Sequence, residues 1–315
     1  MGDRRSPRDA GGGRRCGRAL AATLAVAAVL TACTGPGAGA GPEDIEVVGE
    51  FGARPTVTFD VPLAVRESSV SVVIDGDGPE LVEGAPVLID WLAIDGSTGE
   101  VISETYLTAP DVFAFTPESL GESLYTAVSA SGTNDRVLYL EPATGESGLP
   151  AANIVVVDVR PARAQGEPVA PAAGLPAVRL AGDGSPTITI PGAPPPPDRV
   201  EQVLIKGEGA QVSADAVLIV QFTRVRWSDG AVEATTWGGL PERLDLATSM
   251  PGLSLGLLDQ TVGSQVLLVV PPAEAEGTDT LVFVVDVLAI ASERQGDPGA
   301  SPVPTASVTG SPEPG

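Results

Sequence analysis

DGAVEATTW, residues 229–237, is the stretch on which the reading of this chain turns. Asp-Gly opens a tight turn, and the Val- and Thr-rich run behind it has the composition of a short strand. Glu233 and Ala234 lie in its middle. Either they replace the working residues of an active-site strand, or the strand is a plain surface one. The surroundings are more of the same: VLIVQFTRV, RLDLA, QVLLVV and TLVFVVDVL are short apolar runs bounded by Gly, Pro and Asp. A single segment, PGLSLGLLDQT (251–261), has leucines at helical spacing, Leu253, Leu257 and Leu258, with Pro251 suited to a first turn. Short strands with one short helix predict an antiparallel sheet packed on that helix, an α+β fold.

The pattern occurs twice. PTVTFDVPLAVRESSVSVVIDGDG from Pro55 aligns without gaps on PTITIPGAPPPPDRVEQVLIKGEG from Pro186, with seven identities in 24 positions. IVVVDV (154–159) matches VFVVDV (282–287), and VLYLEPATGESG resembles VLLVVPPAEAEG. A period this long indicates a duplicated domain rather than a solenoid. Three stretches rich in Pro, Gly and Ala divide the chain. The expected organisation is a tether at 33–41, domains at 42–161 and 185–291, a linker at 162–184 and a disordered tail at 292–315.

Composition removes most chemistries. There is no histidine, which excludes Ser-His-Asp and Cys-His catalysis and His-ligated zinc. Lys206 is the single lysine and stands in no phosphate-binding motif. DGDGPE, with Asp75, Asp77 and Glu80, lacks the spacing of a calcium loop and reads as a solvated turn. No metal or cofactor is expected. The net charge of −23 is repelled by nucleic acid, so none is expected as a partner.

The N-terminus is a targeting signal. Six arginines precede the apolar run ALAATLAVAAVL (19–30), and LTAC (30–33) follows. Small residues before Cys33 resemble a bacterial lipobox, which implies cleavage of a signal peptide at 1–32 and lipidation of Cys33. Two or more acyl chains give stable anchoring, at the outer face of the cytoplasmic membrane. Cleavage removes six Arg and two Asp and takes the net charge to −27. The cleaved chain keeps no cysteine besides Cys33, so no disulfide framework exists.

The order VLIKGEGA, VQFTR, DGAVEATTW, MPGLSLGL, VGSQVLLVVPP, TLVFVVDVL resembles the FK506-binding-protein (FKBP) type of peptidyl-prolyl isomerase. There the pieces read V-x-Y-T-G, D-G-x-x-F-D-S-S, V-I-x-G-W-x-x-G, an I-P-P strand and T-L-V-F-x-V-E-L-L. The resemblance implies two FKBP-like domains, each a twisted antiparallel sheet wrapped around one short helix. The pocket, lined by aromatic side chains, takes proline-containing polypeptide segments. It places Phe222 at a pocket Tyr, Glu233 at a pocket Phe, Ala234 at the Asp facing the amide, and Met250 at a substrate-gripping Ile. Leu253 falls at the Trp of the pocket floor, Glu276 at a Tyr that bonds the substrate carbonyl, and Phe283 at a Phe. In the first domain Leu92, Ile102 and Ser103 fall at the Tyr, Phe and Asp, Phe113 and Phe115 are pocket or core, and SLGESLYTAV is the candidate helix. The expected function is a lipid-anchored prolyl isomerase assisting the folding of exported proteins, weak because most pocket positions are substituted. The alternative is a non-catalytic FKBP-like lipoprotein binding peptides or envelope partners. A solute-binding lipoprotein is disfavoured by the strand-dominated duplication.

Overall fold

LVFVVDVLAIA is apolar at every position but Asp286. A strand of that composition must be covered on both faces. In the computed structural model, which describes residues 39–291, it is a strand buried along almost its whole length. The expected signal peptide, Cys33 and the 292–315 tail lie outside the described residues.

The first repeat runs β1 (Ile45–Val48), β2 (Thr56–Phe59), β3 (Ser69–Ile74), β4 (Pro86–Asp95), β5 (Val101–Glu104), β6 (Asp111–Ala114), α1 (Pro117–Leu120), α2 (Glu122–Val128), β7 (Arg136–Thr144) and β8 (Pro150–Arg160). Then come β9 (Glu167–Pro168), β10 (Ala177–Leu180), β11 (Pro186–Thr189), β12 (Val200–Lys206), β13 (Val217–Arg226), β14 (Val232–Thr235), β15 (Glu242–Asp245), α3 (Pro251–Leu257), β16 (Gln265–Val270) and β17 (Leu281–Ala291). One sheet has the order β3-β7-β8-β4-β5, with β6 also on β4. The other has β9-β12-β16-β17-β13-β14, with β15 also on β13. Apart from β9, which has no counterpart in the first sheet, the two are the same topology, which the duplication predicts, and every pairing is antiparallel.

Alternation along each strand sends side chains to two faces. In the second sheet Val220, Val266, Leu268, Phe283 and Val285 pack under Leu253 and Leu257 of α3. Val225, Leu267, Val269, Val282 and Val284 face the other way, towards Val178 and Ile188 of the β10–β11 hairpin. The first sheet is built alike. Its helix side holds Trp91, Leu124 and Val157, and its outer side lies against Ile45, Val47, Val57 and Phe59 of the β1–β2 hairpin. The helix expected in SLGESLYTAV is present as α1 and α2, interrupted at Gly121, whose φ of 76° no helix accommodates.

Residues 162–184 carry more structure than their composition suggests. β9 adds to the edge of the second sheet, where a proline is tolerated, and β10 is the first strand of the second hairpin. The repeats meet through Leu88, Ala109, Ile219, Leu288, Ala289 and Ala291.

Close approach of α3 to its sheet depends on glycine. A Cβ at Gly252 would lie 2.1 Å from Val270 Cγ1, and one at Gly256 2.7 Å from Leu268. Valine is stiff at χ1 and does not swing away. Gly252→Ala is therefore expected to destabilise the protein by about 1–3 kcal/mol, although alanine is the better helix former by about 1 kcal/mol. Urea unfolding measures it; a stabilised variant would show that α3 can lift off the sheet at no cost.

Candidate functional site

Where α3 crosses β13 and β17 the packing leaves a small hollow of about 80 Å³. Its walls are Val220, Phe222, Arg224, Leu244, Met250, Leu253, Phe283 and Val285. Phe222 and Arg224 project to the helix side because they are two apart on β13. Phe283 and Val285 do so from β17, which lies beside it, with Phe222 opposite Val285 and Arg224 opposite Phe283. Met250 and Leu253 enter from the start of α3, where Pro251 fixes the first helical position. Four of the expected residues, Phe222, Met250, Leu253 and Phe283, thus converge.

Glu233, Ala234 and Glu276 are not among the walls. Ala234 pairs with Arg224 on the edge strand β14. Between Arg224–Ala234 and Val225–Val232 the ladder slips, leaving Glu233 as the extra residue of a bulge. Bulges re-aim side chains, and this one brings Glu233 between two arginines: Oε2 lies 3.3 Å from Arg224 Nε and Oε1 3.5 Å from Arg226 Nη1. The carboxylate is therefore a partly exposed partner at the rim rather than a charge in an apolar pocket. Glu276 is exposed, in the short connection after Glu274, which itself pairs with Arg199 at 2.5 Å.

The residue that sequence reasoning missed is Arg224. Its guanidinium carbon stands 6.0 Å from the centre of the Phe283 ring, and its Nε is shielded from water without a hydrogen-bond partner. A cation held over an aromatic face and neutralised by Glu233 closes one side of the hollow. The signal was there: VQFTR ends in Arg where V-x-Y-T-G ends in Gly.

In the first repeat the structure corrects one assignment. Trp91, not Leu92, takes the place of Phe222. Trp91 lies opposite Val157 and faces the helices, whereas Leu92 faces the hairpin. The amides confirm the equivalence: Trp91 N donates to Thr105 Oγ1 at 2.9 Å, and Phe222 N to Thr236 Oγ1 at 2.8 Å. Trp91 is 4% exposed, donates Nε1–H to Asp111, and fills its site. Ile102 and Ser103 lie on the edge strand β5, as Glu233 and Ala234 do on β14. Phe115 is core, stacked on Tyr125 with ring centres 5.1 Å apart, and Phe113 packs against the same cluster.

The opposite face of each sheet holds one buried polar seam. Arg136 pairs with Asp158 across β7 and β8; at the equivalent place Gln265 Nε2 donates to Asp286 at 2.8 Å. Asp286 also accepts from Ala164 N at 2.7 Å. Burial outweighs these bonds and the charge of Arg163, and pushes the Asp286 carboxyl up to about 6. A carboxyl raised from 3.8 in the unfolded chain favours the fold most below pH ~4. That contribution is lost as pH rises through about 6, roughly 3 kcal/mol in all. Measured against Asp286→Asn, wild-type stability is expected to fall between about pH 4 and pH 6 and then level off. Parallel pH profiles for the two proteins would show that burial leaves the Asp286 carboxyl at its unfolded-state value.

No protein-family model matches the chain. A probable FK506-binding protein of Corynebacterium glutamicum is 28% identical over 113 residues, covering 33% of this chain and 96% of the relative. Among solved structures, FkpA from Escherichia coli is 24% identical, covering 38% of this chain and 53% of its own, with a TM-score of 0.29. The three FKBP domains of wheat FKBP73 are 16% identical, covering 71% of this chain and 94% of theirs, with the same TM-score.

Proposed function

We propose that this chain, built of two FKBP-like domains, is an FKBP-type peptidyl-prolyl cis-trans isomerase of low turnover. It is anchored through lipid on Cys33 to the outer face of the cytoplasmic membrane and assists the folding of exported proteins. One observation carries the reading: Phe222, Met250, Leu253 and Phe283 meet in an apolar hollow under α3, and Arg224 narrows that hollow to about 80 Å³. Ligand sites for drug-sized molecules measure roughly 300–1,000 Å³.

The chemistry asks for no acid, base, metal or cofactor. Rotation about an X-Pro bond is opposed by roughly 18–20 kcal/mol of amide resonance. The twisted amide has lost that resonance and is less polar, so an apolar wall that binds it better than the planar form lowers the barrier. Phe222, Leu253 and Phe283 supply such a wall. What is reduced is room for the proline ring, hence weak turnover. The substrates are proline-containing segments of polypeptides. A net charge of −23 repels nucleic acid.

A second reading, peptide binding without catalysis, is favoured by Trp91, which occupies the corresponding place in the first repeat. Isomerisation of an X-Pro peptide with a hydrophobic X, followed by NMR exchange with the soluble chain from Thr34 onward, separates the two. Acceleration blocked by FK506 supports the enzyme; none at high protein concentration leaves the binder. Lipidation is read independently, as loss of membrane-bound protein in Cys33→Ser.

A further inference from the structure

A second hollow, of about 550 Å³, opens between the two repeats. Its walls include Leu81 and Val82 from the first repeat, Pro161 and Ala162 from the junction, and Trp237 and Leu240 from the second. That volume is within the range of ligand sites. Val82 is 68% and Leu240 43% exposed, so large apolar side chains stand open at a concave surface.

Trp237, the last residue of the opening stretch, separates this hollow from ordinary surface. Among the described residues the indole N–H groups of Trp91 and Trp227 are bonded, to Asp111 and to the Ala193 carbonyl. Trp237 Nε1, though shielded from water, has no partner, and neither has Oγ1 of Thr133 in the same wall. A shielded donor left unpaired costs free energy. An occupant bearing free carbonyls removes that cost once the ring turns to meet it.

The chain carries such an occupant. Beyond Ala291 it continues for 24 residues with five prolines, and residues 298–312, PGASPVPTASVTGSP, contain no charged side chain, in a protein 19% charged. Polyproline II segments make no internal hydrogen bonds and present every carbonyl outward. Aromatic-lined apolar grooves recognise them for that reason. The point of departure also fits. Ala291 ends β17 in the cluster that holds Leu88 and Ala109, and Ala162 packs against that cluster while forming a wall of the hollow. A chain of 24 residues is long enough to reach across tens of ångströms, and tethering gives it an effective concentration of order millimolar. We propose that the tail docks in this hollow through its uncharged segment, covering Val82 and Leu240 and accepting the Trp237 indole proton on a backbone carbonyl. The proposal is independent of the isomerase reading.

The test follows the three indole N–H signals by NMR in the soluble chain from Thr34 to Gly315. Val303→Asp in the tail, and separately Leu240→Asp in the wall, are expected to shift the Trp237 signal. Each should speed its hydrogen exchange by about tenfold, as for a site nine-tenths occupied. Trp91 and Trp227 should stay in place. A peptide of residues 298–312 added to a chain ending at Ala291 should return the Trp237 signal towards its full-length position. An unmoved Trp237 signal in both variants overturns the proposal. So does a shift produced equally by an apolar peptide without proline, or a proline-rich peptide that binds the full-length chain as well as the shortened one, since the occupant would then be another molecule.

Discussion

Replacing Arg136 by methionine is expected to destabilise the first repeat by about 3–5 kcal/mol. Arg136 and Asp158 are both fully buried. Nε donates to Oδ1 at 2.6 Å and Nη2 to Oδ2 at 2.7 Å. The remaining donors hold the turn of the β1–β2 hairpin: Nη1 reaches the Gly49 carbonyl, and Nη2 those of Glu50 and Ala53. Gly52 N completes the knot by donating to Asp158 at 2.8 Å. Methionine leaves Asp158 buried and uncompensated and three carbonyls of the turn without their donor. Arg136→Gln copies the second repeat, where Gln265 serves Asp286, and should recover part of the loss. The double change Arg136→Met with Asp158→Leu removes both charges and should cost less than Arg136→Met alone, because most of the single-variant cost is the stranded carboxylate. Urea unfolding of the full chain reads all three, and hydrogen exchange at Gly52 reports the turn directly. A loss below about 1 kcal/mol for Arg136→Met would mean that the hairpin is not held by this pair.

This knot is hidden in the sequence, while the fold around it is plain. The strands are legible because a side-chain period of two, broken by Gly and Pro, is a local property, and the duplication repeats it. Arg136 and Asp158 are 22 residues apart and become partners only through the register of β7 on β8. The sequence points to Leu92 rather than Trp91 for a related reason. Matching Asp95-Gly96 to Asp229-Gly230 makes the first turn look longer, yet the turns after β4 and β13 are both five residues, and a slip of one residue in a strand exchanges its faces. The 162–184 stretch reads as linker by composition, yet a two-residue edge strand and half of a hairpin need only backbone pairing and a few apolar contacts. Of the site, the convergence of Phe222, Met250, Leu253 and Phe283 follows from matched motifs. The displacement of Glu233 to the rim follows from a bulge, and a bulge leaves no mark in a run such as VEATT.

On the proposed isomerase function, Arg224→Gly is expected to raise kcat/KM for an X-Pro peptide about tenfold, some 1.4 kcal/mol of transition-state binding. Arg224 is the charged wall of an otherwise apolar hollow, and it stands where V-x-Y-T-G has its glycine. Removing the side chain widens the space beside Phe283 and frees Glu233 to pair with Arg226 alone. Adding Glu233→Phe and Ala234→Asp gives the edge strand the aromatic and acidic pair of F-D-S-S, and should bring the gain to roughly a hundredfold together with FK506 binding. Glycine inside β13 weakens the strand by up to about 1 kcal/mol. Arg224→Ala, which opens nearly as much space without that backbone cost, keeps the prediction testable should the glycine variant unfold. The ordering of the series is what the geometry demands. Wild type lies below Arg224→Ala and Arg224→Gly because both enlarge the apolar wall, and the triple variant lies highest because it also aims a carboxylate at the bound amide. If the folded triple variant neither accelerates isomerisation nor binds FK506, the hollow beneath α3 is packing space and the isomerase reading fails.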